Sequence, residues 1–229
     1  MHTVEMQHSF RPPIPAPRTV LEGLLADTPG ACGFDSLAVE ARSPLPAAWL
    51  ARYSFAVVRR GYLVRQRTDR AGRITSVDAV GPGCSFPLEP VNDGESKISG
   101  YAVTRALVCL CDQETLEQGI FEGGPTALQV HQLDSAAIIR MEHLADARGR
   151  PGAASKVAAL LCTLADTLHP GEPSDNSVPG EFLQRDFAGL LSIRHESVCR
   201  AMRDFGKNGL ITKSGDRILL TDRERLQSL

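Results

Sequence analysis

Glu196, Cys199, Arg200 and Arg203 recur at steps of three and four near the C-terminal end of the chain. That spacing places their side chains on one face of a helix. The chemistry such a face can do is base recognition. A guanidinium can donate two hydrogen bonds to guanine O6 and N7, and a carboxylate can accept one from cytosine N4. Glu196 precedes Arg200 by one helical turn and can also orient its guanidinium. The plain alternative is an exposed intrahelical salt bridge.

The elements needed to position that face are legible around it. Val198, Met202 and Phe205 form an inward apolar stripe on the same helix, His195 to Phe205. Gln184 to Leu191 reads as a shorter helix with Phe187, Leu190 and Leu191 on its apolar side, and Ser192-Ile193 as the turn between the two. Asn208-Gly209 supplies a C-terminal stop. Ile211-Thr212, a turn at Lys213-Ser214-Gly215-Asp216, and Arg217–Leu220 read as a β-hairpin, and Thr221-Asp222-Arg223-Glu224 as a capping box opening a last short helix. Two tightly joined helices followed by a hairpin make a winged helix-turn-helix.

Upstream, residues 1–18 hold Pro12, Pro13, Pro15 and Pro17 and read as an extended tail. Thr19–Leu25 can form a short helix. Tyr53–Val58, Tyr62–Gln66, Ile74–Val80 and Tyr101–Leu110 read as strands, punctuated by Gly61, Ala71-Gly72 and Gly81-Pro82-Gly83, which suggests a sandwich or roll. Little before Tyr53 reads as strand. Asp112 is a plausible N-cap for Gln113–Gln118. A long helix follows, Thr126 to Ala147, with Val130, Leu133, Ala137, Met141 and Leu144 at helical spacing. Ala136, Ile138 and Ile139 widen its apolar face. Such a face packs on its own domain and a partner, or within the monomer alone. Ala153–Leu168 makes another helix, and the breaker-rich stretch 170–180 an exposed loop near a domain boundary.

The 229 residues suffice for two small domains. Apolar residues are 42% and charged residues 23%, ordinary for a globular protein. The net charge of −2 argues against indiscriminate nucleic-acid binding, but not against a reader that gathers a few arginines on one face. There is no apolar run near the roughly 18 residues that span a membrane, and no charged-then-apolar N-terminal pattern; both point to the cytoplasm. Cys32, Cys84, Cys109, Cys111, Cys162 and Cys199 include no Cys-x-x-Cys pair and read as reduced, mostly buried thiols. No Ser/His/Asp set, paired carboxylates or glycine-rich phosphate loop stands in a convincing context, so an enzyme is not expected.

Glu196-Ser197-Val198-Cys199-Arg200 resembles the Glu-Thr/Ser-Val-x-Arg string of the recognition helix in the Crp/Fnr superfamily, and Lys207–Ile211 and Asp222–Leu226 extend the likeness. The resemblance covers about residues 50–229 and is strongest in the last 50. It implies an α+β chain: a cupin-like β-roll sensor at 19–123, a dimerisation helix at 124–148 and a winged helix-turn-helix at 149–229. It implies a homodimer on a near-palindromic promoter site in double-stranded DNA, with RNA polymerase as a further partner. His195, Glu196 and Arg200 would contact bases. Gln184, Arg185, Ser197 and Arg203 would contact phosphates. Val130, Leu133, Ala137, Met141 and Leu144 would line the dimer interface.

The chain departs from the family in its sensor. Where cyclic-nucleotide binders carry Gly-Glu and Arg-Ser pairs, it has Pro87-Leu88 and Ser99-Gly100. A buried phosphate would lack its counter-charge, so cyclic AMP is not the expected ligand. No cofactor is expected as the first reading. An iron–sulfur cluster on Cys32, Cys84, Cys109 and Cys111, or haem at His131, are the alternatives. Cys199 beside Arg200 could be a redox switch at the DNA face, or simply a small residue that fits the groove. A different class of reading is an effector-free module whose winged helix binds protein.

Overall fold

The computed structural model describes residues 35–88, 97–121, 125–168 and 176–229. The expected tail at 1–18, the helix at Thr19–Leu25 and Cys32 lie outside the described residues.

The N-terminal part runs β1 (Asp35–Val39), α1 (Ala47–Arg52), β2 (Phe55–Arg60), β3 (Leu63–Thr68), β4 (Ile74–Val80), β5 (Ser85–Pro87), β6 (Lys97–Ala102) and β7 (Ala106–Cys111). Two antiparallel sheets result, one in the order β1-β7-β2-β5 and one in the order β4-β3-β6. They enclose a core in which Val58, Phe86 and Leu110 meet Leu63, Val80 and Trp49. The run Phe55–Val58 is wholly buried, as expected of a strand covered on both faces. Gly61 turns the chain from β2 into β3 at φ +79, and a Cβ there would lie 2.4 Å from the Arg105 carbonyl oxygen, so only glycine fits. In the β3–β4 turn the Asp69 carboxylate accepts the N–H groups of Ala71 and Arg73 at 2.9 and 3.0 Å.

Two expectations change here. The stretch Tyr101–Leu110 is not one strand. It breaks at Val103–Arg105, where the Tyr62 N–H donates to Thr104 Oγ1 at 3.1 Å, and the chain passes from one sheet to the other. The roll also begins earlier than Tyr53: β1 pairs with β7 from Asp35↔Leu110 to Val39↔Ala106. Of β1 only Val39 is buried, so its sequence carries no strong apolar alternation.

Three helices follow: α2 (Gln113–Phe121), α3 (Pro125–Gly149) and α4 (Ala153–Thr167). Asp112 caps α2, its carboxylate accepting the Thr115 N–H at 2.8 Å. Pro125 opens α3 where a missing N–H costs nothing. The stripe assigned above to a dimer interface faces inward instead. Val130, Leu133, Ala137 and Leu144 are 8, 3, 5 and 3% exposed in the single chain. Leu133 packs on Phe55, Val57 and Cys111 of the roll, and Leu144 joins the core formed with α4. Only Met141 of the five is exposed, together with Leu128 and Ile138 on the outer side of α3. Helical periodicity reveals that an apolar face exists; it does not reveal which element covers it.

A buried ionic group ties α3 to the roll. Asp78, fully buried, accepts from Arg65 Nε at 2.6 Å, Arg65 Nη2 at 3.1 Å and Arg140 Nε at 3.1 Å. Arg140 also donates to the Ser85 carbonyl at 3.0 Å, and the Arg65 guanidinium lies 5.6 Å from the Phe86 ring centre. Burial pushes the Asp78 carboxyl up, but Arg65 and Arg140 outweigh it and hold the carboxyl below its ordinary range.

The C-terminal part comprises β8 (Ser177–Pro179), α5 (Gln184–Leu191), α6 (His195–Lys207), β9 (Ile211–Ser214), β10 (Arg217–Leu220) and α7 (Arg223–Gln227). The hairpin has a third strand, in the order β8-β10-β9. That strand lies inside the stretch read as loop. One hydrophobic cluster joins Val64, Ala79 and Val103 of the roll through Leu160, Leu161 and Leu164 of α4 to Phe187, Leu190, Val198 and Phe205 of this part. Among the described residues no helix is long and apolar enough to cross a membrane.

Candidate nucleic-acid interface

α5 and α6 are joined by a tight turn in which Ser192 takes the left-handed conformation, φ 54 and ψ 41. α6 ends at Asn208, and Gly209 follows at φ +67 with Leu210 N–H bonded back to the Phe205 carbonyl at 2.9 Å. Val198, Ala201 and Phe205 are buried beneath α6. Met202, expected beside them, is only half-buried, and Ala201 takes its place in the core. With that stripe fixed inward, His195, Glu196, Arg200 and Arg203 are all exposed, and Ser197 and Cys199 half-buried. Among the described residues neither Glu196 nor Arg200 has an ion-pair or hydrogen-bond partner, so the two do not neutralise each other.

At the start of α5, Gln184 and Arg185 are exposed. Cys199 Sγ donates to Gln184 Oε1 at 2.6 Å and lies 3.6 Å from the His195 ring nitrogens. The thiol therefore holds the amide of α5 against α6, a link that the sequence did not suggest. Leu183 supplies no side-chain cap. The cap is completed from within the helix: Asp186 Oδ2 accepts the Leu183 N–H at 2.7 Å. Asp186 is itself 1% exposed and is held by two residues of the roll, Arg42 and Tyr101.

A cleft of about 680 Å³ opens between α5, α6 and the hairpin. Phe182, Phe187 and Ile211 contribute its apolar lining, Arg185 and Lys213 its cationic groups, and His195 an imidazole. Lys213 on β9 was not singled out above. Its signal was present, a cation in the hairpin turn of a winged module, but its approach to Arg185 requires the folded hairpin.

Residues 155–229 match the family model of the Crp-like helix-turn-helix domain. The match covers the C-terminal third of the chain, including β8 to α7. The rest of the Crp-like architecture is visible in solved structures. FixK2 from Bradyrhizobium japonicum superposes with a TM-score of 0.67 at 20% identity over 86% of this chain and 96% of its own. A CooA mutant from Carboxydothermus hydrogenoformans gives 0.67 at 14% identity over 91% and 94%. A CRP-family transcriptional regulator of Thermus thermophilus gives 0.57 at 20% identity over 85% and 97%. The chain thus has the α+β fold of Crp/Fnr regulators, roll, long helix and winged helix-turn-helix. No curated protein matches it in sequence.

Leu88 is fully buried, and Gly100 is so close to Val64 that a Cβ would lie 2.6 Å from the Val64 carbonyl oxygen. Neither position can present a charged side chain to a phosphate. Cys84, Cys109 and Cys111 are buried. Cys84 belongs to the core between the sheets, whereas Cys111 packs with Leu133. Among the described residues no group of three or more Cys, His, Asp or Glu side chains could hold a metal ion. His131 is exposed on α3.

Proposed function

We propose that the chain is a transcription regulator of Crp/Fnr type that binds a near-palindromic promoter site as a homodimer and engages RNA polymerase there, without catalytic activity of its own. The observation that carries the reading is the open face of α6, on which Glu196 and Arg200 are exposed and unpaired among the described residues. His195, Glu196 and Arg200 read base edges, and Gln184, Arg185, Ser197, Arg203 and Lys213 fix register on phosphates. The dimer seam is the outer side of α3, where Leu128, Ile138 and Met141 are 58, 52 and 37% exposed in the single chain. Large apolar side chains exposed along a long helix suit a partner surface.

Cyclic AMP does not control the protein. Its phosphate would need a buried counter-charge, and the buried guanidiniums of Arg65 and Arg140 are already committed to Asp78.

The test is selection of bound sequences from random DNA, followed by titration of the selected site and of random DNA with wild-type protein and Arg200→Ala. The substitution weakens the selected site by about 1–3 kcal/mol and leaves random DNA nearly unaffected. Equal loss on both would refute base reading.

A further inference from the structure

The N-terminal turn of α5 is held by the roll through a buried carboxylate. Arg42 Nη1 donates to Asp186 Oδ1 at 3.1 Å and Oδ2 at 2.8 Å, and the Tyr101 hydroxyl donates to Oδ1 at 2.7 Å. Arg42 Nη2 also donates to the Glu181 carbonyl, just ahead of α5. Both donors stand on rigid ground. Tyr101 lies in β6 opposite Val64, and Arg42 sits in the turn after β1 with its N–H bonded to the Ala102 carbonyl at 2.7 Å. Arg42 takes φ +63, a conformation that a non-glycine residue rarely adopts. Such backbone is retained where the surrounding structure demands a particular side-chain direction. The far end of α5 is fastened as well: Arg148 of α3 donates to the Leu190 carbonyl at 2.7 Å and to the Ser76 carbonyl of β4 at 2.6 Å.

We propose that Arg42 and Tyr101 are positioning residues for DNA recognition, fixing through Asp186 the angle at which the roll presents α6. This rests on the regulator reading above. Asp186 lies directly beside Gln184 and Arg185 and caps their helix, so the roll grips the module at its phosphate-contacting end. The grip is two-state in character. A buried carboxylate that loses its donors is strongly destabilised, so α5 is either seated on Arg42 and Tyr101 or released into water. A rearrangement of the turn bearing Arg42, or of β6, is thereby converted into a change in the separation of the two recognition helices. A dimer engages both half-sites only when that separation matches about one helical turn of DNA, roughly 34 Å.

The experiment measures Tyr101→Phe and Arg42→Gly in the full-length protein on three DNAs: the selected palindrome, the same site with its half-sites moved apart by one base pair, and a single half-site. Arg42→Gly removes the guanidinium while relieving the left-handed backbone, and Tyr101→Phe removes one hydroxyl from a packed ring. Affinity for the single half-site stays within about twofold of wild type. Affinity for the palindrome falls about tenfold for Tyr101→Phe, the effect of losing one charge-assisted bond, and further for Arg42→Gly, which loses three, and the preference for native spacing falls with it. Unchanged palindrome affinity and spacing preference in both variants overturn the proposal. Equal loss on palindrome and half-site also overturns it, because that pattern denotes local damage to α5. Wild-type protein separates the two claims: if it does not prefer the palindrome to random DNA, the regulator reading itself fails, and the latch with it.

Discussion

Replacing Asp78 with Asn probes the joint between roll and long helix. The carboxylate is fully buried and answers two buried guanidiniums, Arg65 and Arg140, through three hydrogen bonds of 2.6–3.1 Å. Asn keeps the shape and can accept from one of them. It leaves two positive charges facing each other without a counter-ion. Breaking a buried pair in this way costs about 3–5 kcal/mol; we expect about 3, since one acceptor survives. In a chain of this size that lowers Tm by roughly 6–12 °C. Arg140→Met is milder, because the two-bonded Arg65–Asp78 pair remains intact. The double variant is less damaging than the sum of the singles, by about 0.5–3 kcal/mol. The pH dependence has a definite sign. The folded carboxyl titrates below its unfolded value, so its contribution is complete above about pH 4 and declines as pH falls through the folded pKa. Urea unfolding followed by circular dichroism at pH 7 and at steps down to pH 3 measures all of this. A loss below 1 kcal/mol at pH 7 for Asp78→Asn would refute the argument that the carboxylate neutralises the joint.

Three further outcomes follow from the geometry. Lys213→Ala weakens selected and random DNA alike and lowers the slope of log affinity against log salt by about 1, as for a phosphate contact; a sequence-selective loss in the titration would contradict that role. Ile138→Asp, at a side chain 52% exposed in the single chain, leaves the monomer folded and shifts sedimentation to the monomer; a persisting dimer places the seam elsewhere. Gly61→Ala costs about 1–2 kcal/mol for the left-handed backbone alone and more for the contact with the Arg105 carbonyl; an unchanged Tm would show that the turn can rearrange.

The reading end of the molecule was written plainly in its residues. Helix spacing, the apolar stripe beneath it and the Asn208-Gly209 stop are local signals, and a short amphipathic helix carries them unaided. Met202 packs half-buried against the core as its spacing suggested, while Ala201 lies deeper in it. What was illegible was non-local. The break between β6 and β7 has no glycine or proline, because its turn is held by a bond from the Tyr62 N–H, in the β2–β3 turn, to Thr104 Oγ1. β1 is recognised by pairing rather than by pattern, having a single buried side chain. The apolar positions of α3 were found correctly, but their partner was not, since the roll and a second protomer would select the same spacing. Asp186 was not singled out by any local pattern. Its partners lie at Arg42 and Tyr101, a link that sequence order conceals.

The cluster running from Val64 and Val103 through α4 to Phe187 and Phe205 bears on how such a protein can be recombined. Sensors and DNA readers are often treated as interchangeable cassettes joined by a linker. Here α4 packs in one cluster with residues of both the roll and the winged module. A chimaera cut after α3 would expose Leu160, Leu161 and Leu164 on the reader and leave Val64 and Ala79 uncovered on the roll. The seam of exchange therefore has to be a matched pair of surfaces.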